Sequence, residues 1–408
     1  MPISKYNRRD NVTGLTEAVC DIVFCIFTFV YLFCYQAPLL AMEQHMLSHG
    51  VTSYNFTVGA VIITVMLYLL KKFLKDILLK VLSLSDPTRS KTSGIEMFAN
   101  GLYAYPAMLL LPSTLLLAFL TDIDPHRTYG FDFGKWILLI PAMLVVASAA
   151  MILVANSDSE ATAEKKQTGL RKIWKNCLIV LAMMLFVGAS ADTDKALHHH
   201  LKMECYIIRG DYQAALQVDR NGCCTDSVKT MLQAYALARE GKLGEKLFEY
   251  APMGGSEALL PNETNTKCLM LNEKQMYAFI ARPLKEDVIA KDYFRIMKKK
   301  KLAKRPMRDY ELCASLLDKD IDAFAKLLLS YGLHDVSRLP KHYREAMVLY
   351  SHMRSAPVMN YKDDVMDADY QDFMNIIKQN PDMSQRKALA ESSYGTTYWF
   401  YYYFVNRK

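Results

Sequence analysis

The sequence predicts an all-α protein, in which a bundle of about five transmembrane helices precedes a soluble domain of α-helical hairpins. Three observations lead to this fold class. Five apolar stretches occupy the first 190 residues, the short segments between them alternate in positive charge, and the polar remainder repeats a helix–turn–helix pattern.

The five apolar stretches define a transmembrane domain over residues 1–190. A helix needs about 20 apolar residues to cross a hydrocarbon core roughly 30 Å thick. The predicted spans lie near residues 18–35, 56–70, 102–120, 136–155 and 173–189. The first is interpreted as a retained helix rather than a secretory signal, because no small–x–small cleavage pattern follows Tyr35.

Lysine and arginine distribution predicts the orientation in the bilayer. The N-terminal segment and every second loop after it carry 14 of these residues, whereas the other two loops carry 2. Positively charged segments stay in the cytoplasm. The pattern therefore predicts a cytoplasmic N-terminus and, with five crossings, an extracytoplasmic domain over residues 191–408.

The polar half repeats a helical-hairpin pattern. The segment Arg209–Leu216 is echoed by Glu240–Leu247 and, more distantly, by Lys319–Phe324. Each places a glycine or aspartate turn before small and apolar residues, which resembles the tetratricopeptide type of helical repeat. Ala215 is therefore expected in a tight contact between two helices.

Several longer stretches carry a further resemblance. They are Ala236–Phe248, Ala258–Pro261, His342–Ala346, Val365–Phe373 and Tyr394–Trp399. In this order they resemble a bacterial family of multi-pass membrane proteins of unknown function. The resemblance implies a bacterial inner (cytoplasmic) membrane location and brings no catalytic residues.

Histidines and acidic residues in the polar half invite a metal interpretation that their spacing does not favour. His198, His199 and His200 are consecutive, so on a helix their side chains diverge, and only His200 with Glu204 share a face. Two such ligands rarely hold zinc. An acidic group lacks the glycine and final glutamate of a calcium loop and is better interpreted as a helix start; it consists of Asp363, Asp364, Asp367, Asp369 and Asp372.

Other charged and reactive groups receive structural interpretations. Glu17 and Asp21, one helical turn apart, are expected among lipid headgroups at the cytoplasmic end of the first span. The basic run Lys298–Lys301, with Lys304, Arg305 and Arg308, is interpreted as the solvated end of a helix, with binding of anionic lipid as the alternative. The cysteines of the polar half are expected to be free and buried, because their number is odd; they are Cys205, Cys223, Cys224, Cys268 and Cys313.

The aromatic C-terminal segment Tyr394–Phe404 is too short to span a bilayer. Packing against the last hairpin is the favoured interpretation, and contact with the membrane surface is the alternative.

These observations favour a non-enzymatic membrane protein whose extracytoplasmic helical domain binds a protein or envelope partner. The alternative is a membrane-embedded glycan or lipid-linked transferase whose repeats dock the substrate. No phosphate loop, dinucleotide fingerprint, nucleophile elbow or zinc-protease helix is found in the sequence. We therefore predict no catalytic, cofactor-binding or metal-binding residues, a lipid bilayer as a partner, and no nucleic acid as a partner.

Overall fold

Helices dominate the secondary structure of the computed structural model, and no strand of a sheet lies in the part of the chain that it describes. The chain forms two units, Met1–Asp194 and Lys195–Lys408. The described residues are 3–83, 101–102, 104–123, 133–161, 169–220, 222, 225–262, 264–284, 288–333, 338–359 and 361–405.

The first unit begins with one long helical run. Helix α1 (Ile3–Val30) passes through a π-helical segment (Tyr31–Gln36) into α2 (Ala37–Leu47). Pro38 lies in the first turn of α2, where a missing N–H is tolerated. The helix therefore continues to Leu47, past the predicted end at Tyr35, and its apolar part spans Thr13–Leu47.

Among the described residues of this unit, four helices are long and apolar enough to cross a membrane. Besides the first run, they are Phe56–Lys80 within α3 (Phe56–Ser83), Gly134–Leu153 within α5 (Phe133–Ala161) and Leu170–Ser190 within α6 (Gly169–Ser190). They coincide with the predicted spans near residues 56–70, 136–155 and 173–189.

The predicted span at residues 102–120 is not one continuous long helix. Its helical part consists of a 3₁₀ turn (Pro106–Leu110) followed by α4 (Leu111–Thr121). Pro106 has no N–H to donate, so regular helix hydrogen bonding stops at this point. The Asn176 side chain of α6 replaces part of it, accepting from Ala107 N at 3.1 Å and donating to Ala104 O at 3.4 Å.

The second unit contains three helix–turn–helix pairs at the positions of the sequence echoes. They are α7 (Lys195–Ile208) with α8 (Tyr212–Gln217), α9 (Ser227–Arg239) with α10 (Leu243–Lys246), and α13 (Arg305–Leu317) with α14 (Ile321–Ser330). The turns contain left-handed residues: Gly210 at φ 78°, Gly241 at φ 69° and Lys319 at φ 57°. The second helices have 6, 4 and 10 residues, so the pairs are unequal.

The remaining helices complete the core of this unit. They are α11 (Glu273–Ile280), α12 (Ala290–Lys299), α15 (Lys341–Met353), α16 (Asp364–Gln379), α17 (Met383–Tyr394) and α18 (Tyr398–Phe404). Ala215 is fully buried, as expected. The aromatic segment is packed into the core: Tyr398 OH donates to Leu316 O, and Tyr401 OH donates to Leu317 O.

Candidate functional site

An ion-pair cluster joins α1 to α3 within the first unit. Lys71 Nζ lies 2.6 Å from Glu17 Oε1 and 2.8 Å from Asp21 Oδ2, and Lys75 Nζ lies 2.8 Å from Glu17 Oε2. Lys71 is almost completely buried. Two cations therefore neutralise two anions, which explains why Glu17 and Asp21 are tolerated here and gives them a partner that the sequence interpretation missed.

A row of buried oxygen atoms continues along the same helical run. Thr28 and Gln36 are 0% exposed and Glu43 is 3% exposed. Within the described residues, Thr28 Oγ1, Gln36 Oε1 and both carboxyl oxygens of Glu43 have no hydrogen-bond partner. Buried polar atoms usually have one, so this row is the candidate functional site of the protein.

The π-helical segment keeps this row on one face of the helix. An α-helix turns about 100° per residue and a π-helix roughly 80°. The eight residues from Thr28 to Gln36 therefore complete about two full turns, because five of those steps fall in the π-segment. Glu43 follows seven residues later on the same face, roughly 10 Å further along the axis.

Gln36 connects the row to a neighbouring helix. Its Nε2 donates to Tyr31 OH at 3.0 Å, and Tyr31 OH donates to Thr121 Oγ1 at 3.4 Å. The Tyr31 hydroxyl and the Gln36 amide are thus linked to α4. Within the described residues, the Glu43 carboxyl has no hydrogen-bond partner. An ionised carboxylate in this environment needs a cation or a network of donors, whereas a neutral carboxylic acid costs far less free energy to bury.

Glu204 in the second unit is a buried carboxyl whose two oxygens, unlike those of Glu43, both accept hydrogen bonds. Its Oε1 accepts from Leu269 N at 3.1 Å, and its Oε2 accepts from Met270 N at 2.6 Å and Leu271 N at 2.9 Å. Burial raises the pKa of Glu204, and the three N–H donors counteract that rise. This side chain fixes the 269–271 segment against α7.

Glu345 plays a similar part where the C-terminal helix joins the core. Its Oε2 accepts from Tyr398 N at 2.7 Å and lies 2.9 Å from His342 Nδ1, while Trp399 Nε1 donates to Glu345 O at 2.8 Å. The Phe248 ring lies 5.2 Å from His342 and 5.0 Å from Tyr398. Three of the stretches that carry the sequence resemblance therefore meet in one packed junction.

The histidine triplet does not converge on one point. His199 Nδ1 lies 3.6 Å from Asp219 Oδ2, and His200 Nε2 lies 2.9 Å from Asp226 Oδ2. Desolvation lowers the pKa of His199, although Asp219 opposes this effect. No group of three His, Cys, Asp or Glu residues that could hold a metal ion is found within the described residues.

The acidic and basic runs occupy helix ends. Asp363 caps α16, accepting from Met366 N at 3.1 Å, so the acidic group marks a helix start as predicted. Lys298, in the last turn of α12, pairs with Glu311 at 2.9 Å and lies over the Tyr331 ring. Lys298 and Lys299 thus lie at a helix end, as the sequence predicts, whereas Arg305 and Arg308 of the same basic run lie at the start of α13.

The cysteines of the second unit that the structure describes are buried free thiols, as expected. They are Cys205, Cys268 and Cys313. Burial raises the pKa of the Cys205 thiol to about 12. Cys223 and Cys224 lie outside the described residues.

Glu43, Gln36 and Lys71 are the residues of interest that sequence reasoning missed. Residues 37–54 lie between the first two predicted spans, so the sequence predicts a loop there. The available signal was the apolar run Ala37–Met42, which ends at a single glutamate. An ionisable residue that interrupts an apolar helix in a membrane is a functional candidate by default.

The sequence matches a family of unknown function (DUF6057) over residues 58–279 and 285–405. No curated protein and no solved structure matches the chain. The family match covers most of both units, so the chain belongs to DUF6057.

Proposed function

We propose that this protein crosses the inner membrane of a bacterium five times and presents its second unit outside the cytoplasm. There the helical hairpins, which resemble tetratricopeptide repeats, form a surface that binds a protein or envelope partner. The N-terminus lies in the cytoplasm. The observation that carries this proposal is the alternating direction of five helical segments in the first unit.

Contacts along the first two segments support opposite directions for them. Lys75 pairs with Glu17, whereas Lys71, one turn earlier in α3, pairs with Asp21, one turn later in α1. Helix α3 therefore runs antiparallel to α1. Thr121, at the end of α4, meets Tyr31, so α4 ends near the same end of the bundle as α1.

The last two segments follow the same alternation. Trp136, at the start of α5, donates to Asp122 Oδ2 at 2.7 Å, and its ring lies 6.5 Å from the Phe186 ring near the end of α6. Asn176, early in α6, contacts the start of the Pro106 turn. Helices α1, α4 and α6 thus share one direction, and α3 and α5 take the other.

The short third segment is long enough for this role. A 3₁₀ helix rises about 2.0 Å per residue and an α-helix about 1.5 Å, so Pro106–Thr121 extends roughly 26 Å. That length approaches the ~30 Å hydrocarbon core. The charge bias of 14 against 2 lysines and arginines agrees with the same five crossings.

Reporter fusions test the topology. A reporter active only outside the cytoplasm is fused at Lys408, after Asp122 and after Ser83, and a fluorescent protein active only inside is fused at the same positions. We expect the outside signal at Lys408 and Asp122 and the inside signal at Ser83. An inside signal at Asp122 removes the third crossing, and one at Lys408 contradicts the proposed side of the second unit.

Photocrosslinking in native membranes tests the partner. Val365 is 74% exposed on α16 and Val358 is 59% exposed, so both offer apolar contact surface. A photoreactive residue at each should give a discrete adduct with another protein or an envelope component, compared with the exposed Lys362 as the matched position. Absence of an adduct at Val358 and Val365, or equal adducts at these positions and at Lys362, contradicts a partner contact at the two valines.

A further inference from the structure

The atoms that lack partners along the first helical run are all oxygens. They belong to Thr28, Gln36 and Glu43, and each is buried. The amide and carboxyl oxygens can only accept hydrogen bonds unless the carboxyl is protonated. Within the described residues, Gln36 Oε1 and an ionised Glu43 therefore lack hydrogen-bond donors. Water can donate to these oxygens, and a proton on Glu43 makes one of its own oxygens a donor.

A metal ion fits this row poorly. Gln36 and Glu43 are separated by roughly 10 Å along the helix axis, so one ion cannot reach both. Hard cations such as calcium need about six to eight oxygen ligands, which a single carboxyl does not supply.

Within the described residues, neither carboxyl oxygen of Glu43 has a hydrogen-bond partner. On α2 itself His45 lies two residues away. Among the described elements, the π-segment and α3 pack most extensively against α2. The titratable groups of the π-segment are Tyr31, Cys34 and Tyr35. Those of α3 are Tyr68, Lys71, Lys72, Lys75, Asp76 and Lys80.

Those α3 lysines lie at the other end of the helix from α2, and Lys71 and Lys75 are paired with Glu17 and Asp21. An ionised Glu43 would consequently be an uncompensated buried charge, which costs far more than holding a proton.

We propose that Glu43 is a proton-binding site of the membrane unit, held as a neutral carboxylic acid at neutral pH. Water joins it to Gln36 and Thr28, and its proton exchanges along that row. In the exchange one carboxyl oxygen of Glu43 gives its proton to a neighbouring water while the carboxyl takes a proton from water. Each O–H bond that breaks is matched by one that forms, so the carboxyl stays neutral. The site goes beyond partner binding and does not depend on which side the second unit occupies.

Infrared difference spectroscopy of the full-length protein in lipid vesicles tests the site. At neutral pH the wild type minus Glu43→Gln spectrum should show the carbonyl band of a carboxylic acid, and this band should shift in D₂O. Exposed Glu391 serves as the matched control, because Glu391→Gln should remove a carboxylate band and leave the acid band unchanged.

Three results overturn the proposal. The first is the absence of the acid band at neutral pH, and the second is a band that D₂O does not shift. The third is a band that arises only after metal and alkali cations are removed, which identifies a cation site. Wild-type protein labelled with side-chain carboxyl-¹³C glutamate tests for the acid band without any substitution. The label must shift this band if the band comes from a glutamic acid.

Gln36→Leu separates the row from the carboxyl itself. This variant should keep the acid band of Glu43 and slow its deuterium exchange, because the water connection is interrupted. Exchange at the wild-type rate excludes the row as the path of the proton.

Discussion

The two units handle buried carboxyl groups in different ways. In the second unit Glu204 accepts three backbone N–H bonds, and Glu345 accepts the N–H of Tyr398 next to His342. In the first unit Glu17 and Asp21 are matched by lysines, but Glu43 has no partner among the described residues.

This difference separates structural carboxyls from a candidate site. A buried acceptor that already has donors fixes the position of those donors, and its hydrogen-bonding capacity is used in folding. Neither carboxyl oxygen of Glu43 accepts a hydrogen bond from the described residues. Glu43 lies in the unit that contains helices long and apolar enough to cross a membrane.

Removal of Lys71 should have the largest effect. Lys71→Ala leaves Glu17 and Asp21 without their shared cation, and breaking a buried ion pair typically costs about 3–5 kcal/mol. Denaturant unfolding of the full chain in detergent measures the change. Lys72→Ala is the matched control, because Lys72 is exposed and lies over the Tyr68 ring; equal losses for both variants would contradict the cluster.

Gly244→Ala should destabilise the junction of the second unit by a smaller amount. A Cβ at this position would lie 2.4 Å from Tyr343 Cζ, and overpacking a core costs about 1–3 kcal/mol. Gly188→Ala is the control, since nothing lies within 4 Å of its Cβ. A thermal midpoint that Gly244→Ala leaves unchanged would show that the Tyr343 ring moves freely, and the junction would then be loosely packed.

Hydropathy predicted the positions of the membrane-length helices because a long apolar run has few alternatives. Pro106 is visible in the sequence, but the Asn176 side chain that bonds to Ala107 N lies 69 residues further along the chain, and a local pattern does not reveal that contact. The continuation through the π-segment was missed for a similar reason, since Pro38 is compatible with either a loop or a first helical turn.

The candidate site could be predicted only in part. The isolated glutamate after Ala37–Met42 is visible in the sequence, but its burial and its lack of a partner are tertiary facts. The sequence stretches that resemble the family were visible too. The contact between these stretches was not visible, because Phe248, His342 and Tyr398 are distant in sequence and meet only in the folded core.

Thiol reactivity, the smallest of the expected effects, tests whether the cysteines of the second unit are buried. Burial raises the pKa of Cys205 to about 12 and raises the pKa of Cys313 as well. Because the thiolate is the reactive form, maleimide should modify both slowly at neutral pH in the folded chain and rapidly after unfolding. Peptide mass spectrometry follows each site, and equal rates in the two states would show that these thiols are accessible.

The most direct test of the difference between the units is a matched pair of variants, Glu43→Gln and Glu204→Gln. Both oxygens of Glu204 accept N–H bonds, so an amide must turn its NH₂ toward a donor, and we expect a loss of roughly 2 kcal/mol or more. A neutral Glu43 has nearly the shape and charge of glutamine, so its replacement should change the unfolding free energy by less than about 0.5 kcal/mol. A loss at Glu43→Gln as large as that at Glu204→Gln would contradict the account, because it would mean that Glu43 is a charged and bonded structural group.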